Sequence, residues 1–395
     1  MGTYSTLSPA NGHAEGSYRP GGKRELIVWF AVAATLAIVW SAEATAQMLS
    51  HTTALLSTGR EYMAATSVRN YAIFAGGGSG TADLFDVNSG QWSVANISQR
   101  RDYLAAASVD KYALIAGGAG SGWVDSANVD IFNAETGQWT TSALSQARWQ
   151  LAGTSVGKYA IFAGGTHNLS QFSNRVDIFD SSTGQWSTAS LSAARSALVA
   201  TSAGNYALFA GGLDNSGTGV SDRVDIFDST TGNWSTATLS HARDNMTATT
   251  VGRYALFAGG FNGTGGHGEY DTVDIFDSAT AKWSTAYLSV ARGWLAAAST
   301  DGYAFFGGGG NGQPYTDAVD IFNGATGQWT TTSLSQGRRD LAATSIGDYV
   351  LFAGGYDNTS TMSRTVDIFQ VPEPASLALL ALGGVFLLRR RSSGA

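Results

Sequence analysis

The sequence predicts an all-β chain folded as a closed ring of seven four-stranded antiparallel sheets, and three regularities predict it. One pattern recurs seven times: L-A-A-T-S-V-G-x-Y-A-L-F-A-G-G, a loop, then V-D-I-F-D-S-x-T-G-Q-W-S-T-A-x-L-S-x-A-R. Its glycine doublets open at Gly76, Gly117, Gly164, Gly211, Gly259, Gly307 and Gly354, mostly 47 or 48 residues apart. Its tryptophans, Trp92, Trp139, Trp186, Trp234, Trp283 and Trp329, each follow a phenylalanine by seven residues. Self-similarity at a period of about 50 residues marks a stacked array of supersecondary units.

Within one copy, residues 151–195, an apolar-rich run at 151–156 turns at Gly157-Lys158 into a second run at 159–163, which Gly164-Gly165 stops. A polar loop at 166–175 leads to 176–180, and residues 181–184 turn the chain into 185–190. Four short runs separated by Gly, Asn and Ser turns read as one antiparallel sheet. Side chains alternate along a strand, so Val176 and Ile178 point one way and Phe179 the other. A sheet apolar on both faces needs a neighbour on each. Copies arranged radially supply both, which is the logic of a β-propeller.

The chain closes its own ring. Residues 52–57 align with the strand after each tryptophan, with His51 in the tryptophan's place. Val366-Asp367-Ile368-Phe369 is a third strand with no tryptophan strand after it. The entering segment therefore supplies the fourth strand of the last blade and leaves no ragged sheet edge. The doublet, the phenylalanine and the tryptophan at this spacing resemble the kelch repeat over residues 52–369. That resemblance implies glycines that admit close backbone approach near the axis, and a tryptophan packed between blades.

Both ends read as addresses. Lys23-Arg24, an apolar run at 26–40 and Ala44-Thr45-Ala46 make residues 1–46 a signal peptide with a long n-region, cleaved between Ala46 and Gln47. An uncleaved signal anchor is the alternative. Either sends the propeller, residues 47–370, out of the cytoplasm through the Sec export machinery. Residues 371–395 form a tail: Pro372-Glu373-Pro374, an apolar stretch at 375–388, then Arg389-Arg390-Arg391. As helix that stretch is about 21 Å long against a hydrocarbon core of about 30 Å, a transient anchor with its arginines kept cytoplasmic. The order of parts resembles the PEP-CTERM sorting signal. The resemblance implies an exosortase-type enzyme that removes the tail near 372–374. It also implies a final place at the cell surface or in the extracellular matrix of a Gram-negative bacterium.

Composition narrows the function further. Fifty glycines and five prolines suit an all-β chain with many tight turns. The net charge is −7, and without the two ends it is −9 from 17 basic and 26 acidic groups. Nucleic acid needs clustered Lys and Arg and is excluded as a partner. The lack of cysteine removes disulfides, thiolate metal sites and a cysteine nucleophile. The galactose-oxidase branch of kelch propellers needs tyrosine, histidine and a cross-linked cysteine around copper. Here only His167, His241 and His267 fall inside the array. Asp214, Asn215 and Asp222 offer oxygen ligands, but not at calcium-loop spacing. No G-x-S-x-G, H-E-x-x-H or phosphate-loop pattern falls in a suitable context. No metal, cofactor or catalytic residue is assigned.

Nine residues after each tryptophan, or after His51, stands an arginine: Arg60, Arg101, Arg148, Arg195, Arg243, Arg292 and Arg338. Every third strand carries an aspartate: Asp83, Asp130, Asp177, Asp225, Asp274, Asp320 and Asp367. One reading is a basic collar at the channel mouth that binds an acidic group through bidentate hydrogen bonds. The other ties each arginine to an aspartate or to loop carbonyls, and sevenfold repetition favours it. Better binding candidates lie where the repeat stops repeating: Tyr62, Tyr103, Trp149, Trp294 and Arg339 after the arginines, His167 and Asp214 after the doublets. Both loop sets are expected at one end of the propeller. Exposed aromatics among polar residues suit sugar stacking or peptide binding. The expected function is an exported, non-enzymatic binding module for a polysaccharide or protein partner. The alternative is a secreted carbohydrate-active enzyme with an acid pair in the channel.

Overall fold

The structure is a computed structural model that describes residues 49–371, except 169, 216–218, 264–267, 301 and 311. The proposed signal peptide with its Ala46–Gln47 cleavage point, and the tail from Pro372 through Arg391, lie outside the described residues, as does His267.

Seven four-stranded antiparallel sheets follow one another along the chain, with no helix among the described residues. They are numbered here as blades 1 to 7, with first strands opening at Met63, Ala105, Ala152, Val199, Thr247, Ala296 and Ala342. Blade 3 shows the plan: Ala152–Val156, Tyr159–Ala163, Arg175–Asp180 and Gln185–Ser190, paired in that order. First strands are built of Ala, Ser, Thr and Val because seven of them converge. They line a channel of about 340 Å³ with residues such as Ala65, Thr66, Ser108, Thr154, Thr201 and Ser299. Second strands are buried throughout after their leading tyrosine, as befits strands covered on both faces. The fourth strand of blade 3 faces solvent except at half-buried Trp186 and Ala189.

Alternation decides which blade each side chain meets. Val176 and Ile178, with Ile161 and Ala163, pack against Phe209, Phe227 and Trp234 of blade 4. Ala160, Phe162, Phe179 and Trp186 pack the other way, on Leu114, Val129 and Ile131 of blade 2. The tryptophan thus sits between blades and also against its own Phe179, 5.3 Å between ring centroids. Six of the seven second-strand tyrosines set an edge on a phenylalanine of the next blade, as Tyr112 does on Phe179 and Tyr159 on Phe227, both at 5.9 Å. Edge-to-face pairs of this kind add about 0.5–1.5 kcal/mol beyond burial.

Blade 7 is composite. Ala342–Ile346, Tyr349–Ala353 and Thr365–Gln370 are completed by Ser50–Leu55, so the entering strand does close the ring. It starts and stops two residues earlier than expected, because the Leu56 and Ser57 amides already turn towards Arg364 O and Asp83 Oδ1. His51 pairs with Phe369, rings stacked at 4.4 Å, where other blades place Phe against Trp. One doublet is also shifted. Gly307 ends its strand opposite Val319, and the left-handed pair in blade 6 is Gly308-Gly309. Four consecutive glycines from 307 to 310 leave no side chain to set the register in sequence.

Candidate functional site

The linkers between blades carry the repeated arginines. Each arginine leaves the outer strand of one blade and reaches the third-strand aspartate of the next. Arg60–Asp83, Arg148–Asp177 and Arg292–Asp320 are 2.6, 2.7 and 2.7 Å apart. Arg101, Arg195, Arg243 and Arg338 bond Asp130, Asp225, Asp274 and Asp367 in the same way. The second oxygen of each aspartate accepts the amide of Ser57, Ser98, Ser145, Ser192, Ser240, Ser289 or Ser335 at 2.7–3.1 Å. Five of the guanidiniums also donate to the carbonyl of the first doublet glycine, as Arg60 Nη1 does to Gly76 O at 2.8 Å. All seven arginines are 0% exposed, so this set presents no guanidinium to a ligand. Burial lowers the arginine pKa values, and the paired aspartates oppose that shift.

Two residues after each arginine the main chain turns left-handed. Tyr62, Tyr103, Gln150, Ala197, Asn245, Trp294 and Asp340 have φ between 49° and 55°. A non-glycine residue held there costs on the order of 1–2 kcal/mol, and strain of this kind persists where the surroundings enforce it. Here the enforcement is a series of main-chain hydrogen bonds from blade to blade, at six of the seven steps. Tyr103 N donates to Tyr62 O, Gln150 N to Tyr103 O, and Ala197 N to Gln150 O, at 2.9–3.1 Å. Trp294 N donates to Asn245 O, Asp340 N to Trp294 O, and Tyr62 N to Asp340 O, at 3.0–3.4 Å. The backbone is held by the ring, so the side chains on it are free to differ.

The glycine doublets bring the second loop set to this same end. Trp149 and Thr166 exchange amide bonds at 3.0 and 2.7 Å. Between them lies Gly165, at φ +107°, where a Cβ would stand 2.7 Å from Trp149 O. Ser196 pairs likewise with Leu213, and Asp244 with Phe261.

The aromatic side chains of the ring meet. Tyr62 stacks on Tyr103 at 4.1 Å and Tyr103 meets Trp149 at 5.3 Å. Trp123 lies 5.9 Å from Tyr103 and 5.6 Å from Trp149, and is 54% exposed. On the other side of Tyr62, its hydroxyl accepts from Arg339 Nη1 at 3.3 Å. The Arg339 guanidinium sits 5.1 Å over Trp294 and 5.3 Å over Tyr315 and Tyr356. Trp149, Tyr103, Tyr62, Arg339 and Trp294 therefore form one continuous line of contacts. His167 and Asp214 are placed on the loops of blades 3 and 4 instead. Trp123 was missed from sequence, although it stands out of register with the repeat just as Trp149 and Trp294 do. Tyr315 and Tyr356 carried no such signal.

Carboxylates collect at the mouth. Asp340 is raised to about 7, by burial above all, with Arg339 pulling it down and Glu61 pushing it up. Burial pushes Asp244 up to about 6, with Asn245 Nδ2 donating to it at 2.9 Å. Burial also raises Glu61 and Asp102. None of these acids lines the channel proper, whose walls are Ala, Ser and Thr. A recess of about 280 Å³ opens beside them, lined by Arg100, Asp102, Gly120, Ser121 and Trp123. No group of three or more His, Asp or Glu arranged to hold a metal ion occurs among the described residues.

Comparison with known proteins yields two matches. The KLHDC2/KLHL20/DRC7 kelch-repeats domain matches residues 150–355, and the PEP-CTERM protein-sorting motif matches residues 370–392. No curated protein matches the chain.

Proposed function

Because the chain belongs to the kelch-repeat family and carries a PEP-CTERM sorting motif, we propose that its propeller is a non-enzymatic module binding a polysaccharide or protein partner. The motif makes the chain an exported protein of a Gram-negative bacterium, with a membrane-anchored precursor recognised by an exosortase-type enzyme. In the proposed route, the Sec machinery takes the chain out by residues 1–46. The tail then holds it at the inner membrane, and cleavage near 372–374 delivers it to the surface or matrix.

The observation that carries the binding reading is the line of rings from Trp123 and Trp149 through Tyr103 and Tyr62 to Arg339 and Trp294. Rigid aromatic faces beside polar groups make large contacts at small cost in side-chain entropy. One observation favours the second reading, an enzyme acting on carbohydrate: Asp340 is held near neutrality with Glu61 in its field. Against it, the Asp340 side chain is only 7% exposed and is bonded to Arg339. A general acid must reach the proton acceptor on its substrate, and this geometry favours a structural carboxylate.

The test is a glycan array probed with the full chain, followed by titration of the hits against Trp123→Ala and Trp186→Ala. Trp123→Ala is expected to weaken binding about tenfold with little change in stability. Trp186→Ala is expected to lose about 3–5 kcal/mol of stability. Undiminished binding by Trp123→Ala and by Trp294→Ala would remove the loop-rich face from consideration.

A further inference from the structure

The last strand leaves the propeller at the end remote from the mouth. Thr365–Gln370 starts beside a glycine doublet, where Gly354 N donates to Thr365 O at 2.9 Å. A strand of six residues covers about 17 Å, and it ends at the turn between the first two strands of blade 7. There Val371 N donates to Asp348 O and Gln370 Nε2 to Asp348 Oδ2, both at 2.8 Å. Val371 is 5% exposed, so the fold grips the chain up to its last described residue. Ser50, which opens the closing strand, stands opposite Gln370 at the same end. The short turns within each blade gather on this face, as the linkers and doublet loops gather at the mouth.

Only Pro372, Glu373 and Pro374 lie between Val371 and the apolar stretch that opens at residue 375. Four Cα steps reach at most about 14 Å when fully extended. The headgroup layer on one side of a bilayer takes up about 5–7 Å of that reach. From this short tether we infer that the turn face of the propeller rests on the lipid headgroups in the anchored precursor, with the mouth pointing away from the membrane. The opposite orientation would require the tail to run back along the height of a blade, which exceeds its reach. The chemistry of the turn face fits a headgroup layer. It carries all three lysines of the propeller, Lys111, Lys158 and Lys282, along with Arg69 and Arg253. Arg69 pairs with Glu135 and Lys158 with Asp180, at 2.7 and 2.8 Å, so the face offers charges of both signs, as headgroups do. None of the large exposed apolar side chains lies there: Leu55, Trp123, Tyr287 and Met362 stand towards the mouth, and Val94 midway along its strand. A charged face is costly to bury in hydrocarbon and is at home beside phosphates and ammonium groups. The aromatic line at the mouth is thus open to a partner before the tail is cut. The inference rests on the tail as a membrane anchor and not on the identity of that partner.

The chain contains no cysteine, so a single introduced one reports a single site. The full chain is exported in a Gram-negative host without an exosortase, purified from the inner membrane, and returned to vesicles of phosphatidylethanolamine and phosphatidylglycerol with nitroxide-bearing headgroups. Asn88→Cys and Ala325→Cys lie in exposed turns of blades 1 and 6, on either side of blade 7, and Ser121→Cys in an exposed loop of the mouth. With a fluorophore on each, the two turn sites are expected to lose most of their emission to the nitroxide, and the mouth site to keep its own. A Gly-Ser insertion of about ten residues after Val371 adds a reach of about 17 Å, and it should restore emission at both turn sites. The same emission at all three sites, or greater loss at Ser121→Cys, overturns the inference. Loss at the turn sites that the insertion leaves unchanged also overturns it, because the tether would then not set the distance. A chain recovered away from the membrane removes the anchoring and the inference together, while the binding reading still stands or falls by the glycan array.

Discussion

At the scale of the residue, the molecule spends its arginines inside. A buried ion pair deprived of one partner leaves an uncompensated charge, which costs about 3–5 kcal/mol. Arg195→Ala would strand Asp225, and Asp225→Asn would weaken the tie to both Arg195 and the Ser192 amide. Denaturant unfolding should show a loss of that size for Arg195→Ala, and a change below about 1 kcal/mol would mean that the pair contributes little net stability. The raised aspartates make a second prediction. In the unfolded chain an aspartate titrates near about 3.9; in the fold Asp244 and Asp340 titrate at about 6 and about 7. Between those values the native state holds protons that the unfolded state has released. Their stabilising contribution is therefore complete below about pH 4 and is lost as the pH rises towards 7. Melting temperature should fall from pH 5 to pH 8, and Asp244→Asn with Asp340→Asn should flatten that slope. A wild-type profile flat over this range would contradict the assignment. Of the residues at the mouth, Tyr62, Tyr103, Trp149, Trp294 and Arg339 were legible in sequence because each breaks a sevenfold pattern. Their contact with one another was not.

At the scale of the element, the strand most dependent on its partner is Ser50–Leu55. It pairs on one side only, with Thr365–Gln370, and its His51 Nε2 lies 2.8 Å from Asp367 Oδ1. Asp367 also receives Arg338 and the Ser335 amide, so one carboxylate joins the closing strand to the latch between blades 6 and 7. Deleting residues 50–55 should open blade 7 before any other. Native-state hydrogen exchange should show protection at Thr365–Gln370 falling while that of Arg175–Asp180 in blade 3 persists. Uniform loss across all blades would instead show that the ring opens as one cooperative unit. The third strand's alternation was readable residue by residue, and the faces of Val176, Ile178 and Phe179 fall as their period-two pattern requires. The closing strand's register was legible too, with His51 opposite Phe369 as Trp186 is opposite Phe179; its ends lie two residues earlier than expected, since strand ends depend on where the next backbone acceptor lies.

At the scale of the whole molecule, the propeller is one part of an exported chain whose sorting motif spans residues 370–392. The apolar stretch at 375–388 is too short to cross the hydrocarbon core comfortably as helix. A precursor held by it and then cut should appear outside the cell without its basic end. Mass spectrometry of surface-released protein is expected to find no peptide beyond about residue 374. Recovery of Arg389, Arg390 and Arg391 on the released form would show that release does not require the cut.

The sequence by itself determined the all-β class, the seven blades and the strand that closes them, because each rests on local periodicity repeated along the chain. A period-two pattern apolar on both faces can be buried only by copies of itself. Only the tertiary structure decided that the seven arginines are sealed in, that the doublet of blade 6 is Gly308-Gly309, and that the acids stand at the mouth. It alone brought Tyr62 to Arg339, 277 residues apart in sequence, since closing the circle is what makes the first linker and the last adjacent. The unpartnered Ser196 Oγ and Asp244 Oδ1 belong to the same class of fact. Whether a buried oxygen has a partner depends on neighbours from other blades, and no pattern along the chain records them.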